Sequence, residues 1–499
     1  VSTTESSTWT KDFAASIVVF LVALPLSIGI AVASGAPLRA GLVAAVVGGI
    51  VVGLLGGAPL QVSGPAAGLT VMVYGYVEKF GFEATCAVAI GAGIIQVLAG
   101  SARVARAAMA ISPAVLQAML AGIGVLITLG QLHVLFGSGP KSSALENLRQ
   151  LPATLSATNT SALIVGLATL ALLFGWNKLL ARRIPVIPGS LVAIAAGTAL
   201  GALLPDAPPR VEVPPNVLAA FTWPSLGENS LSDLALAACA LAFVASCESL
   251  LCAVATDRLH SGPRARLDRE LLAQGAGNIV SGALGGLPIT GVIVRSSANI
   301  AAGGKTRLSA ILHGVWMLVF VAFLASFLAF IPRAALAALL VHVGINLVKV
   351  PEMRKVAKFG EFAVYAVTLA GVVFINLLWG IGIGVALALV LLLRRLSRIE
   401  FSTREVGAEI ELTMRGALTF LSVPTIAARL ATLPAGRQVR LVLDIQQIDH
   451  AAIEAIRAWR VGYEASGGKV MKQPLDEVWR ELAQGRSSAT APARSATAS

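Results

Sequence analysis

Charge is what this chain has least of. Asp, Glu, Lys and Arg make up 13% of its 499 residues, against roughly 25% in soluble domains. With 56% hydrophobic residues beside it, so little charge excludes a water-facing globular class and points to a polytopic membrane protein. Cysteine is scarce as well. Cys86, Cys239, Cys247 and Cys252 all fall in apolar runs, which excludes a disulfide framework and a zinc-ligand spacing. No nucleophile and base stand together, so an enzyme is not expected. The GxGxxG-like spacings lie inside apolar helices with no strand before them, so neither a nucleotide loop nor a bound cofactor is expected. A cleavable signal peptide is not expected either, because the polar VSTTESSTW precedes a full-length span.

What is present is glycine, 49 residues of it, which suits helices packing closely in lipid. The net charge of +12 does not point to nucleic acid, because the basic residues sit between the apolar runs, as the positive-inside rule requires.

The apolar runs predict spans over 13–33, 38–57, 62–75, 84–101, 112–130, 160–176 and 186–203, then 231–253, 267–284, 289–301, 307–329, 332–348, 361–378 and 380–397. Each half has seven, and the third of each is short. An odd number per half reverses the second half in the membrane, giving an inverted repeat. Charge agrees. With the N-terminus inside, the cytoplasmic loops hold Arg103 and Arg106; Lys178, Arg182 and Arg183; Arg258 to Arg269; Lys305 and Arg307; Lys349 to Lys358; and Arg394, Arg395 and Arg398. The other side receives Arg39, Lys79, Lys141, Arg149, Arg210 and Arg333.

The two short segments are VSGPAAGLTVMVY, Val62–Tyr74, and the run inside GGLPITGVIVRSSANIAAGGKTR, Gly285–Arg307. A span needs about 20 apolar residues. Paired, interrupted segments, one with a buried cation, mark a binding site in such folds. Connections at 131–159 and 204–230 read as external loops. After Arg398, β-like stretches at Val406–Thr413 and Val439–Asp444 alternate with amphipathic helices at Pro424–Leu433 and Ala451–Tyr463, a small α/β domain. The expected organisation is an N-terminal segment 1–12, a transport domain 13–398 (repeats 13–203 and 231–397), an α/β domain 403–484 and a disordered tail 485–499.

The stretches VALPLSIGIAVASGAP, VSGPAAGLTV, ELLAQGAGNIVSGALGGLP and VRSSANIAAGGKTRLSAILHG resemble the SulP family of anion transporters with a C-terminal STAS domain, over essentially the whole chain. The resemblance implies a 7+7 inverted repeat of 14 transmembrane segments. A core (segments one to four and eight to eleven) moves against a gate, in a homodimer with the anion between the third and tenth half-helices. It also implies a bacterial inner-membrane location with both termini and the STAS domain cytoplasmic. LPLSIGIA and SGPAAGLT are similar to bacterial members associated with carbonic anhydrase and proposed to carry bicarbonate, which implies that substrate and a functional link to a carbonic anhydrase. Sulfate-carrying relatives show a polar amide after the proline of segment one, where this chain has Leu26. LVLDIQQIDHAAIEAI resembles the STAS signature, but His450 follows Asp449 in place of a hydroxyl, so a structural, dimer-supporting or trafficking role is expected there.

If the half-helices meet with N-termini facing, their unpaired N–H groups and roughly half a positive charge at each end form an anion cradle. Its expected residues are Pro25 and Ser27 from segment one, Ser63, Gly64, Pro65, Ala66 and Ala67 (with Gly68) from the third, and Thr290, Gly291, Val292 and Ile293 from the tenth. Arg295 either adds a charge for the anion or is a strut paired with a carboxylate or carbonyl. Glu248, with Cys252 one turn later, is the expected ion-coupling position, for protons or sodium; alternatively Glu248 is a permanent partner of Arg295. A hydroxyl at Cys252 would suit sodium better, which favours protons. The functions in competition are a bicarbonate transporter, a sulfate or dicarboxylate symporter, and an uncoupled channel or exchanger. A nucleobase permease would want paired carboxylates or amides that the short segments do not offer. His313 and His342 are expected to bond between helices, Gln274 and Asn278 to contact a neighbouring segment, and Asp257 and Arg258 to form an ion pair.

Overall fold

Every one of the fourteen expected segments has a counterpart in the computed structural model, which describes residues 3–105, 112–139, 144–176, 178, 187–212, 223–396, 399–407 and 409–471. The first repeat runs α1 (Thr3–Ala33), α2 (Leu38–Leu55), β1 (Ser63–Pro65), α3 (Thr70–Phe80), α4 (Phe82–Ser101), α5 (Pro113–Leu135), α6 (Ala144–Ser156), α7 (Thr160–Gly175) and α8 (Gly189–Leu203). The second runs α9 (Leu231–Asp257), α10 (Leu267–Ala283), β2 (Ile289–Gly291), α11 (Ile293–Ala301), α12 (Leu308–Phe323), α13 (Arg333–Leu347), α14 (Val350–Lys358), α15 (Phe362–Phe374) and α16 (Leu377–Leu396). Each short segment is a strand followed by a half-helix. The two strands pair antiparallel with Gly64 opposite Thr290. The flanking pairs, Ser63–Gly291 and Pro65–Ile289, exchange under a two-fold axis at that middle pair, as an inverted repeat requires.

Two groups of helices pack separately within this unit. In one, α1, α2, α4, α9, α10, α11 and α12 enclose the strands; in the other, α5 packs on α13 and α15, and α7 on α8 and α13. The first group is drawn together by missing side chains. A Cβ on Gly93 of α4 would lie 2.6 Å from the Gly275 carbonyl of α10, and one on Gly275 would lie 2.7 Å from the Gly93 carbonyl. The backbones are therefore in contact, and dispersion across that close seam replaces the hydrophobic drive that lipid cannot supply. Between the groups runs an apolar seam in which Leu26 and Ile28 of α1 share a cluster with Leu336 and Leu339 of α13.

Several expectations are corrected. Helix α1 begins at Thr3, ten residues ahead of the expected 13–33 span. The 131–159 connection contains α6, whose leucines 145, 148, 151 and 155 keep a helical period through the polar residues between them. The 307–329 span ends at Phe323 and continues as a 3-10 turn over Ala325–Phe330. Arg39 is buried at the start of α2 and is not a loop residue. Asp257 does not pair with Arg258. Its carboxylate accepts from the Ala265 N–H at 2.9 Å and faces His260 at 3.7 Å, closing the turn into α10. Arg106, Lys141, Arg182, Arg183, Arg398 and the 485–499 tail lie outside the described residues.

The chain divides into two compact units, Val1–Val385 and Ala386–Ser499. In the second, β3 (Ile399–Val406) and β4 (Glu409–Leu418) form a hairpin, β5 (Gln438–Ile448) pairs parallel to β4, and β6 (Lys469–Val470) parallel to β5. The single strand expected at Val406–Thr413 is thus two, because Gly407 takes φ +64° and turns the chain. Helices α17 (Val423–Ala431) and α18 (His450–Ala465) bury Ile426, Leu430, Ile453 and Ile456 against Leu412, Met414 and Val439. Asp449 caps α18 through Ala452 N–H at 2.9 Å and accepts from Phe420 N–H at 2.5 Å. It therefore serves as a structural N-cap, with His450 exposed beyond it.

Candidate functional site

Both half-helices start at the strand crossing without a side-chain cap. Helix α3 is entered through Ala66 in extended conformation and a 3-10 turn over Ala67–Leu69; α11 is entered through extended Val292. In the first arm the Leu69 and Thr70 N–H groups are taken by the Ala66 and Ala67 carbonyls, and the two helix dipoles bring positive ends to one place. Ser63, Pro65, Ala66 and Thr290 are buried around this point, and Gly64 and Gly291 lie in the strands themselves. Val292 and Ile293 are half-buried at the start of α11.

Arg295 stands in the first turn of α11 and is fully buried. Its Nη2 donates to Ser27 Oγ at 3.0 Å and to the Pro65 carbonyl at 3.3 Å. Its Nε and Nη1 have no hydrogen-bond partner among the described residues. A guanidinium with two unused donor atoms is held in position through one nitrogen and keeps donor capacity on the other two. Among the described residues it makes no ion pair with Glu248, which speaks against the alternative of a permanent pair. Ser27, itself anchored by donating to Ala23 O at 2.7 Å, and Pro65 carry the guanidinium, while Pro25 lies inside α1 two residues before Ser27.

Glu248 lies beyond the strands, beside the Thr290 hydroxyl, and its Oε2 is sealed from solvent without a hydrogen bond. Cys252, one turn on, places its sulfur 3.7 Å from Ser296 Oγ and 3.8 Å from Thr256 Oγ1. The glycines of the first arm explain how both charges fit. A Cβ on Gly64 would overlap the Arg295 guanidinium, and one on Gly68 would lie 2.5 Å from Glu248 Oε1. Each charge therefore lies against a residue without a side chain.

Of the residues that hold the strands, Gln274 and Asn278 were expected to contact a neighbouring segment and do so, whereas Glu270, Ser249 and Ser296 were not picked out in the sequence. Glu270, Gln274 and Asn278 face one side of α10 at successive turns. Gln274 Nε2 donates to Ser63 Oγ at 2.6 Å, and Asn278 takes the Ile289 N–H at 2.7 Å and returns a bond to its carbonyl at 3.1 Å. Ser249 accepts from Gly291 N–H at 3.2 Å and Ser296 from Val62 N–H at 3.0 Å. The signal that could have found them is the four-residue spacing of three polar side chains on a helix of small residues. His313 is fully buried with neither ring nitrogen bonded, so it does not bridge helices by hydrogen bonds as expected. His342 bonds Asn346 on its own helix at 2.9 Å and meets Phe174 edge-on. Arg307 and Arg269, expected only as topology signals, donate to the Leu54 and Leu55 carbonyls at the end of α2.

The family model "Sulfate permease family" matches residues 9–370. The bicarbonate transporter BicA of Picosynechococcus sp. is 28% identical over 408 residues, covering 78% of this chain and 71% of that protein. YvdB of Bacillus subtilis, provisionally named a sulfate transporter, is 29% identical over 398 residues, covering 78% and 74%. Among solved structures, the transmembrane domain of a cyanobacterial BicA superposes with a TM-score of 0.66 at 25% identity, over 77% of this chain and 97% of that one. Murine Slc26a9, an anion transporter in the inward-facing state, gives 0.79 at 18% identity over 95% and 87%, a likeness of fold. Matched over most of its length and folded as the 7+7 repeat that its motifs implied, the chain belongs to the sulfate permease (SulP) family of anion transporters, proteins that carry their substrate across a membrane and do not transform it.

Proposed function

We propose that the chain is a secondary active transporter of a small inorganic anion, bicarbonate first, held where α3 and α11 meet. Arg295 carries this reading: a buried guanidinium with two unused donor atoms, placed where two uncapped helix N-termini converge. A planar monoanion with three oxygens can accept from one of these unused donors while its other oxygens face the helix ends. Buried Leu26 beside the site offers no extra polar group for a tetrahedral dianion, which supports bicarbonate over sulfate; the sulfate names among the relatives keep sulfate as the second reading.

Coupling is assigned to Glu248. Its Oε2 is sealed and unbonded among the described residues, a place where an uncompensated charge is costly, which supports a coupling cation there. Cys252 at the next turn offers sulfur, a poor ligand for a hard cation, which supports protons over sodium. The group carrying the strands moves elevator-like against the α5–α8 and α13–α15 group along the apolar seam. The protein works as a homodimer in a bacterial inner membrane with its termini inside, as the loop charges favour.

Purified protein in proteoliposomes tests this with labelled bicarbonate, sulfate and chloride, at two pH values, with and without sodium. The expected result is saturable bicarbonate uptake driven by a proton gradient. Uptake of sulfate alone assigns the second reading. Flux that follows only the anion's own gradient makes the protein a channel, and no uptake of any anion sinks the proposal.

A further inference from the structure

Glu270 is an acidic side chain that the anion site does not itself use, yet it is almost wholly buried in the first turn of α10. Four donors converge on its two oxygens. Oε2 accepts from the backbone N–H groups of Gly57 and Ala58 at 2.8 and 2.9 Å, and Oε1 from Gln61 Nε2 and Gln274 Nε2, both at 2.8 Å. The contact is reciprocal, because Arg266 N–H donates back to the Gly57 carbonyl at 3.1 Å. Gly57 has no room for a side chain, since a Cβ there would overlap the Arg266 carbonyl. The turn after α2 is thus clamped on the start of α10.

That turn leads directly into β1. Gln274 bridges the two, donating to Glu270 Oε1 and to Ser63 Oγ, and Asn278 one turn further holds β2 through both backbone groups of Ile289. One stripe of α10 therefore sets the position of both strands. Pro65, whose carbonyl holds Arg295, lies two residues after Ser63 on the same strand.

We propose that Glu270 is a positioning residue for anion binding. Its carboxylate fixes the 57–61 turn, and through Gln274 and Ser63 the height of β1 under the Arg295 guanidinium. This rests on the anion being bound at the strand crossing. The chemistry needs two acceptor oxygens, so an amide is no substitute: in either orientation Glu270→Gln turns an NH2 group towards two donors. Glu270→Gln and Glu270→Ala should therefore both loosen the 57–61 turn, which the loss of a negative charge acting at a distance would not do.

The experiment uses the full chain in proteoliposomes with two readouts. Hydrogen exchange followed by mass spectrometry should show amides in 56–66 of Glu270→Gln exchanging about ten-fold faster or more, with α12 and α13 unchanged. Labelled bicarbonate and sulfate uptake should show KM raised about ten-fold with kcat changed less, the mark of lost ground-state binding. Gln274→Leu, which removes only the bridge and keeps the clamp on Gly57 and Ala58, should show a smaller KM rise, with faster exchange confined to 62–66. If the wild type carries neither anion, the transport reading fails, and the exchange readout still tests the clamp. Unchanged exchange over 56–66 in Glu270→Gln overturns the proposal. So does lowered thermal stability with KM unchanged in both variants, which makes Glu270 a folding residue only.

Discussion

The two arms of the site are built alike and equipped differently. Each is a three-residue strand leading into an uncapped half-helix, and the pairing of Gly64 with Thr290 sets them about one two-fold axis. At corresponding places after that pair, the first arm carries Leu69 and the second Arg295, both buried. The first arm supplies backbone, in Gly64, Ala66 and Gly68; the second supplies the charge. Symmetry gives two helix dipoles pointing at one spot, and a single cation breaks it. A second guanidinium would repel the first in a low-dielectric site, and one suffices for a monoanion.

The largest effect should come from erasing that difference. Arg295→Leu makes the second arm like the first and removes hydrogen bonds to a charged group, each about 1.5–3 kcal/mol, or roughly ten- to a hundred-fold in affinity. The same variant should unfold in detergent at or above the wild-type temperature, because an unpaired buried charge is expensive and a leucine is not. Uptake kinetics and a thermal melt check both halves. Affinity that stays at the wild-type value would show that helix ends alone hold the anion.

Next come the glycines of the first arm, which separate the two charges. Gly64→Ala pushes into the Arg295 guanidinium and should raise KM about ten-fold for the 1–3 kcal/mol of an overpacked contact. Gly68→Ala meets Glu248 in place of Arg295, so it should disturb gradient-driven accumulation more than affinity. Glu248→Gln sharpens the distinction. It fixes the neutral form, so counterflow exchange should persist while accumulation driven by a proton gradient is lost, whichever side is acidified. Accumulation by the variant at the wild-type level removes Glu248 from coupling.

Both half-helices were legible in the sequence because they are too short, too rich in Gly and Pro, and interrupted by Arg295; those features belong to local backbone chemistry. What hides is azimuth. A pair of Glu248 and Arg295 is one reading of the sequence, but in the fold Arg295 is held by Ser27 and Pro65 while Glu248 lies beside the Thr290 hydroxyl. Glu270 reads in sequence as an ordinary acid in the first turn of a helix, where the dipole welcomes it, and Asp257 and Arg258 read as neighbours that must pair. In each case the partner comes from another segment: the 57–61 turn for Glu270, Ala265 for Asp257. The α6 helix hid because its polar residues lower the mean apolarity that marks a span, although its leucines keep their period.

The smallest effect expected concerns a contact that Arg295 receives from outside both arms. Ser27 of α1 accepts from Arg295 Nη2 at 3.0 Å, while the Pro65 carbonyl holds the same nitrogen from within the first arm. Ser27→Ala leaves that second acceptor in place, so the loss should be about 1 kcal/mol, roughly five-fold in KM. If Ser27 acts only by orienting Arg295, the substitution should do nothing further in an Arg295→Leu background. A double-mutant cycle on bicarbonate KM measures this directly, with a coupling energy close to the whole single-variant effect. A five-fold loss that persists without Arg295 would instead place the Ser27 hydroxyl on the anion itself, and the site would then draw on α1 as well as on its two arms.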